Sequence, residues 1–354
     1  MKKIISLLIV AIIFVLGCKP KPTQEESVNF KKADMITFMA DKIIVPRYSA
    51  LLTNLGQLQS SFSSFTNQAD QTNLDEMKEA WKSSALAFNF VRVFDFGPAR
   101  DIGLKASLGT FPSDTSKIIS NIDSGNTFVS TFDQQDAIGL SAIEFILFRE
   151  NAFALLGEQK TKDYLQLLIS KANSELNSVL STWQASYSSK FKLSTGTEST
   201  SGFSLLINEF NKDYELAKNA KIGIPIGKQS LGVAQYEYIE SPYALFSLRI
   251  LEANIQAIDG IFKGQDQFGQ SAFGFEDYLN ALGRSALADE INAEINGILS
   301  DISVLDNNLK AEIDTNYASL DELYTKMQNL VVHLKTDMTS AFGVLITYQD
   351  NDGD

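Results

Sequence analysis

The sequence predicts an all-α protein. Apolar residues recur at helical spacing along most of the 354-residue chain, as where Ile36, Met39 and Ile43 lie three or four residues apart. No run of alternating β-branched residues repeats, and no period of about 20 to 50 residues indicates a solenoid. Since 44% of the residues are hydrophobic, a chain of this length can bury a core as two domains or as one domain of two lobes.

An amino-terminal helical bundle is predicted over residues 31–195. Its opening helix contains Pro46, which has no backbone N–H to donate and therefore breaks or kinks the helix. The next helix is expected to stop at Gly97-Pro98. The predicted elements of this bundle are helices at residues 30–65, 74–94, 139–148 and 163–187, a loop at 108–114, and a short helix or turn at 118–122.

A carboxyl-terminal helical bundle is predicted over residues 203–354, after a Ser/Thr/Gly-rich boundary at residues 194–202. Ser241-Pro242 is the expected start of a helix that Gly264 stops, because serine caps helices and proline suits the first turn. The other predicted elements are helices at residues 203–220, 279–305 and 309–334, a Gly/Pro-punctuated segment at 222–227, and an apolar, β-tolerant end at 341–348.

The amino terminus has the pattern of an export signal. A basic start is followed by an apolar run at residues 4–16, which is too short to span a bilayer comfortably. Residues 15–18 read Val-Leu-Gly-Cys and resemble a bacterial lipobox, so we expect a signal peptide at residues 1–17 and a lipid on Cys18. The alternative is an ordinary signal peptide with an incidental cysteine.

Residues 19–27 are polar and contain prolines, which predicts an extended tether within residues 18–30, behind the lipidated Cys18. The folded body is then held away from a membrane by its lipid anchor. We expect the protein in the bacterial cell envelope, either facing the periplasm or exposed at the surface.

Composition excludes several classes of function. The formal net charge is -13 and no dense Lys/Arg patch is present, so we expect no nucleic-acid partner. The single histidine, His333, rules out a multi-His zinc or copper site within one chain. The single cysteine rules out an intramolecular disulfide. A Ser-His-Asp mechanism would require His333, and no nucleophile elbow lies near it.

The segment at residues 139–148 is strongly apolar, lacks proline and has one carboxylate, Glu144. In a helix Ser141 and Glu144 are three residues apart and share one face, while Ile143 and Leu147 cover the packed side. A lone glutamate among such neighbours lies either at the rim of the core or in an interior site. The residues alone leave both interpretations open.

Short motifs in a fixed order run from about residue 35 to the carboxyl end. Together they resemble the imelysin family, whose signature is a Gly-x-His-x-x-Glu helix followed by an aromatic-aliphatic run. Gly139 and Glu144 match that signature, but Ser141 occupies the histidine position. The other matching segments are Ile44-Val45-Pro46-Arg47-Tyr48, Trp81, Phe96-Gly97-Pro98, Phe111-Pro112-Ser113-Asp114, Ile224-Pro225-Ile226-Gly227, Glu240-Ser241-Pro242-Tyr243 with Ser247 and Asn254, and Leu334-Lys335-Thr336-Asp337 with Ser340-Ala341.

The resemblance implies a two-lobed helical bundle with a site between the lobes. Glu144 would face the segment from Glu240 to Tyr243 and the face of Ser247. Imelysin-family proteins are exported, often lipid-anchored and implicated in bacterial iron uptake. Some were described as metallopeptidases, with the motif histidine and glutamate as metal ligands.

Ser141 changes what the resemblance implies for the site. A neutral hydroxyl is a poor metal ligand beside imidazole, and a zinc hydrolase needs about three protein ligands. Glu144 remains the candidate metal ligand and could recruit Asp114 or Glu240, giving an oxygen site suited to iron(III), calcium or magnesium. The full set of candidate site residues is Gly139, Ser141, Glu144, Asp114, Glu240, Ser241, Tyr243 and Ser247.

Three hypotheses of function follow. The first is an imelysin-like, membrane-anchored lipoprotein that serves bacterial iron or haem uptake by binding rather than by catalysis. The second is a metallopeptidase whose site is built from Glu144 and neighbouring carboxylates. The third is a non-catalytic adaptor that docks an envelope transport protein.

Overall fold

The computed structural model describes residues 30–126, 132–266 and 268–348. Every regular element in these ranges is helical, and β pairing there is limited to one bridge between Gln265 and Ser271. The all-α prediction is therefore confirmed. The predicted signal peptide, the Cys18 anchor and residues 18–29 of the predicted tether lie outside the described residues.

Residues 31–195, here called the first half, pack around three long helices. They are α2 (Val45–Asn67), α3 (Gln71–Asn89) and α9 (Gln159–Thr182), and α2 lies against both of the others. Leu51, Leu55 and Leu58 recur at helical spacing on α2 and are fully buried. The shorter helices are α1 (Lys32–Phe38), α4 (Pro98–Asp101), α5 (Leu104–Gly109), α6 (Thr115–Ser124), α7 (Gly139–Phe148), α8 (Ala152–Leu155) and α10 (Ser188–Lys192), with 3-10 turns at Arg92–Phe94 and Phe132–Ala137 and a π-helix at Trp183–Tyr187.

Pro46 widens the opening helix without ending it. The chain stays helical from Lys32 to Asn67, but it forms a π-helix at Met39–Ile44 immediately before the proline. Because proline has no N–H, the carbonyl of Lys42 has no α-helical donor four residues later, and a π-turn accommodates that gap.

The described residues between 202 and 348, here called the second half, contain a second set of packed helices. They are α11 (Gly202–Leu216), α12 (Ser247–Phe262), α13 (Phe275–Ala281), α14 (Ser285–Ser303), α15 (Leu309–Thr315), α16 (Tyr317–Val332) and α17 (Thr339–Phe342), with π-helices at Ala217–Gly223 and His333–Met338 and a 3-10 turn at Tyr236–Tyr238. Helix α14 packs against α12 and α16. Helix α12 also packs against α3, and α11 against the turn at Arg92–Phe94, so both join the two halves.

Several predicted boundaries in the second half are wrong. The helix predicted at residues 279–305 is divided by Gly283, whose φ of +70° ends α13 before α14 begins. The helix predicted at residues 309–334 is divided at Asn316. The apolar end at residues 341–348 forms no strand, because α17 stops at the left-handed Gly343 and no β partner lies beside the described residues that follow.

Ser241-Pro242 does not cap a helix, contrary to the sequence-based expectation. Ser241 has a φ of +56°, which lies outside the extended conformation of a helix cap, and α12 begins at Ser247 instead. The residues between them form an irregular loop against α7. Within the part of the chain that the structure describes, no helix combines the length and apolarity needed to cross a bilayer.

Candidate functional site

Helix α7 is buried on nearly every side and carries the central site residue. Trp81 of α3 donates its indole N–H to the carbonyl of Leu140 over 2.8 Å and so anchors the first turn. The apolar face predicted from the sequence packs as expected, with Ile143 and Leu147 fully buried. Glu144, in the middle of the helix, is only 1% exposed. The interior alternative is therefore the one that the structure shows for this carboxylate.

Gly139 allows α7 to begin where it does. Its φ is +76°, and a Cβ atom at this position would lie 2.5 Å from the carbonyl oxygen of Ser107 and 2.8 Å from that of Leu108. Both atoms belong to the backbone of α5 and cannot rotate away. The motif glycine is thus required by the close approach of α5 to α7.

The carboxylate of Glu144 connects the two halves of the chain. Its Oε1 atom accepts hydrogen bonds from the Ser241 hydroxyl at 3.1 Å, the Tyr243 N–H at 2.9 Å and the Ala244 N–H at 2.8 Å. All three donors come from the loop that precedes α12. Oε2 has no hydrogen-bond partner among the described residues, which leaves one carboxylate oxygen for a ligand.

Burial raises the pKa of Glu144 to about 7. The three hydrogen bonds to Oε1 favour the charged form, but they only partly offset the loss of hydration, and the negative charge of Glu240 adds to the rise. At neutral pH the protonated and ionised forms are therefore both populated.

The loop that donates to Glu144 has an unusual backbone. Ser241 and Leu245 adopt positive φ angles of 56° and 53°, which cost free energy for residues with a Cβ atom. Ser247 also stabilises the loop, since its hydroxyl donates to the carbonyl of Glu240 over 2.5 Å. The buried carboxylate of Glu144 thus fixes a strained loop from the other half of the chain.

Glu144 lies in the wall of a cavity of about 340 Å³. The wall is mainly hydroxyl-bearing and aromatic, with Glu237 as a second acid, and the ring of Tyr243 packs edge-on against Phe145 at 5.1 Å. The lining residues are Phe111, Pro112, Ser113, Thr115, Ser141, Glu144, Tyr236, Glu237, Ile239, Ser241, Pro242 and Tyr243.

Four of the predicted site residues meet at this cavity, namely Ser141, Glu144, Ser241 and Tyr243. Gly139 supports them from the start of α7. Ser247 is buried beneath the loop and outside the cavity wall.

Two carboxylates expected beside Glu144 have other partners. Asp114 caps α6, where its Oδ1 atom accepts from the N–H of Lys117 at 2.9 Å. Glu240 forms an ion pair of 2.8 Å with the buried Lys221. Glu240 also lines a small space together with Glu144, so a ligand set of Glu144 with these acids stays a prediction.

The residues present do not fit a resident metal of the hydrolase type. Within residues 30–126, 132–266 and 268–348, no group of three or more His, Cys, Asp or Glu side chains is placed to hold an ion. His333 pairs with Glu294 of α14 at 3.0 Å. The cavity instead offers Glu144, Glu237 and several hydroxyl oxygens, a set of hard donors.

A buried ionic cluster centred on Asp213 is absent from the sequence-based predictions. Asp213 of α11 is fully buried and accepts from Arg92 at 2.8 Å, Lys105 at 2.7 Å and Asn254 at 2.8 Å. Although burial opposes the charged form, Arg92 and Lys105 lower the pKa of Asp213 well below its ordinary value. The sequence contains one signal that Asp213 is buried. It follows the buried Phe210 by three residues and so lies on the apolar stripe of α11.

The cavity residues Tyr236, Glu237 and Ile239 were also missed. They come from the irregular segment between Gly227 and α12, where no periodic pattern indicates which side chains face inward.

Comparisons with known proteins agree with this architecture. The family model described as Imelysin (peptidase M75) matches residues 44–338. A crystal structure of an imelysin-like protein from Psychrobacter arcticum 273-4 has a TM-score of 0.73 at 16% identity, covering 90% of this chain and 97% of that one. A candidate iron-regulated protein A precursor from Parabacteroides distasonis ATCC 8503 has a TM-score of 0.75 at 19% identity, covering 88% and 95%. Both proteins have the same fold as this chain.

A sequence relative matches a shorter region. Iron-regulated protein A of Synechococcus elongatus is 22% identical over 146 residues, which is 41% of this chain and 38% of that protein. The chain thus aligns with well under half the length of that relative. The family match, in contrast, extends over most of the chain, through both halves and through α7 with Gly139 and Glu144. The chain belongs to the imelysin family.

Proposed function

We propose that this imelysin-family protein binds iron during bacterial iron uptake and catalyses no reaction. The observation that carries the proposal is the Glu144 carboxylate, which is buried at a cavity, fixed through Oε1 by the opposite half and free of partners among the described residues at Oε2. Two similar proteins are named as iron-regulated protein A, which supports an iron-related role.

The donor atoms around the cavity suit a hard cation. The Glu144 carboxylate and the hydroxyls of Ser141 and Tyr243 are oxygen donors, which iron(III) prefers over nitrogen or sulfur donors. The iron is cargo in this proposal. A few protein oxygens then share the ion with water or with a small chelator.

The size of the cavity favours a small iron species over haem. Ligand pockets are typically about 300–1,000 Å³, and the 340 Å³ measured here lies near the lower end. A hydrated ion or a compact chelate suits that space better than a macrocycle with two propionates.

Binding is favoured over peptidase chemistry by the residues beside Glu144. A zinc hydrolase uses about three protein ligands and leaves one position open for water. Here Ser141 replaces the motif histidine, while Asp114 and Glu240 are engaged elsewhere. A metallopeptidase would need further ligands, and these contacts compete with metal binding by both acids.

An adaptor role is favoured by a different observation. Leu231, Val233 and Leu245 are exposed on the segment that leads to and borders the cavity loop, and their exposed fractions range from 50% to 102%. Exposed apolar side chains on one segment suit contact with another protein. In this alternative the protein docks an envelope transport component and needs no iron.

We also propose that Cys18 carries the lipid that anchors the protein in the cell envelope, either facing the periplasm or exposed at the surface. The support is the Val-Leu-Gly-Cys sequence behind an apolar run. Replacing Cys18 with Ser is expected to move the protein from the membrane to the soluble fraction, and an unchanged membrane fraction would refute the anchor.

Titration with iron(III) and elemental detection tests the proposed function on the full-length protein. We expect saturation near one ion per chain and at least tenfold weaker binding after Glu144→Ala, with haem titrated in parallel. Glu76→Ala removes an exposed acid of α3 and serves as the matched control. If neither the wild type nor the control binds iron or haem, the adaptor role replaces the binding role.

A further inference from the structure

A second cavity, of about 450 Å³, lies between α2 and α3 of the first half, with Asp266 of the second half in its wall. It shares no lining residue with the Glu144 cavity. Arg47 and Asn54 of α2 form one side, and Leu86 of α3 with Phe90 just beyond that helix forms the other. The cavity therefore combines an apolar patch, formed by Leu86, Ala87 and Phe90, with polar side chains and a single buried cation.

Arg47 is the unusual member of this wall. Its side chain is 7% exposed, and Nη1 donates to the backbone carbonyls of Ala257 at 3.3 Å and Phe90 at 3.5 Å. It forms no ion pair with any residue that the structure describes. A buried guanidinium has five N–H donors and is normally matched by a carboxylate, because an uncompensated buried charge is costly.

Arg47 stays charged at neutral pH although it is buried. Burial lowers the pKa of Arg47 to about 9, and no acidic group raises it again, yet that pKa is still above neutral pH. The guanidinium also lies over the Phe90 ring, 5.4 Å from its centroid, and 5.9 Å from that of Phe94. These aromatic faces stabilise a cation without supplying a negative charge.

Asp266 is the one acid in the cavity wall. Its Oδ1 atom accepts from the N–H groups of Phe268 at 2.8 Å and Gln270 at 2.9 Å, so this oxygen is used within its own loop. Its charge makes the cavity unfavourable for a dianion such as phosphate. A ligand with one negative charge satisfies Arg47 at a smaller electrostatic cost.

We propose that this cavity binds a small organic monoanion, of the aryl or branched-alkyl carboxylate class. The ligand's carboxylate pairs with the Arg47 guanidinium, whose planar fork suits two carboxylate oxygens. Its apolar body packs on Leu86 and Phe90. The volume is that of a site for a small molecule.

Calorimetric titration of the full-length protein with benzoate tests the proposal, and neutral benzamide tests the need for charge. We expect one benzoate per chain and no saturable binding of benzamide. Arg47→Gln is expected to weaken benzoate binding at least tenfold, with folding checked by thermal melting. Glu144→Ala is expected to leave it unchanged, so this result is independent of the iron proposal.

A second pair of variants tests the cavity without touching Arg47. Ala50→Trp places an indole at the exposed rim of the cavity, whereas Ser49→Trp places it on the neighbouring exposed position that does not line the cavity. Benzoate binding is expected to fall at least tenfold in the first variant and to persist in the second. Absent benzoate binding in the wild type, or equal affinities in wild type and Ala50→Trp, would overturn the proposal.

Discussion

Glu144 is a carboxylate whose hydrogen bonds do not fully replace its lost hydration. Three donors converge on Oε1, yet burial still raises its pKa to about 7. Such a group accepts a cation readily, because a bound positive charge favours the ionised form. When no cation is bound, the buried ionised carboxylate lowers the free energy of unfolding.

That cost gives the stability of the protein a defined pH dependence. The folded carboxyl keeps its proton up to a pKa of about 7, whereas the unfolded one loses it near 4.5. The folded state therefore binds more protons in this window, and the free energy of unfolding falls as pH rises from about 4.5 to 7. The decrease is on the order of 3 kcal/mol, at about 1.4 kcal/mol per pKa unit.

Glu144→Gln is expected to remove this dependence. The amide retains an oxygen for the three donors but does not titrate, so the variant should gain stability relative to wild type between pH 5 and pH 8. Urea unfolding at both pH values measures the effect, with Glu76→Gln on the protein surface as the matched control. Parallel pH profiles for wild type and Glu144→Gln would contradict the account.

At the scale of single residues, the sequence predicts partners along one helix better than partners across the fold. Ser141 and Glu144 share the cavity because three residues of helix place them on one face. The roles of Asp114 and Glu240 depend on a cap and on Lys221, which compete for the same carboxylates. The cap at Asp114 is a local contact with Lys117, whereas no local pattern predicts the pairing of Glu240 with Lys221.

At the scale of elements, the start of α7 is fixed by its contact with α5. Gly139→Ala is expected to destabilise the protein by roughly 2 kcal/mol or more, because a left-handed backbone and a contact of 2.5 Å both oppose a Cβ atom. Thermal or urea unfolding measures the loss.

Gly297→Ala is the matched control for that substitution. Gly297 lies inside α14 with no atom within 4 Å of the added Cβ, so alanine is expected to stabilise by about 0.5–1 kcal/mol. Equal effects of the two substitutions would contradict the role assigned to Gly139.

The ionic cluster around Asp213 joins elements of both halves. Asp213→Asn leaves the buried Arg92 and the partly buried Lys105 without their counter-charge, and the expected loss is about 3–5 kcal/mol in urea unfolding. Asp301→Asn breaks a partly exposed pair with Lys326 and should change stability little. A loss at Asp213 no larger than at Asp301 would show that the cluster does not stabilise the contact between halves.

Helix existence could be predicted from apolar periodicity, whereas several helix ends could not. The predicted helices at residues 279–305 and 309–334 continue in pattern across Gly283 and Asn316, so periodicity gave no reason to divide them. The Ser241-Pro242 pair reads as a cap, but tertiary contact with Glu144 fixes Ser241 in a turn. Tertiary hydrogen bonds from a distant side chain therefore override the local signal for a helix cap.

At the scale of the whole molecule, the site exists only because two distant segments meet. Glu144 and Ser241 are 97 residues apart, and α12 packing on α3 brings the loop to α7. Composition and periodicity predict the all-α class but not the contact between these two segments. That contact was predicted only from the resemblance to a family. The division into bundles at residues 31–195 and 203–354 stays a prediction.

The central claim is that iron binds at the Glu144 cavity. Anomalous diffraction at the iron absorption edge, from crystals of the protein soaked with iron(III), tests this claim most directly. The account predicts a peak beside the Glu144 carboxylate in the wild type and none there in Glu144→Ala. A cavity without a peak in the wild type, or a peak that remains in the variant, would contradict it.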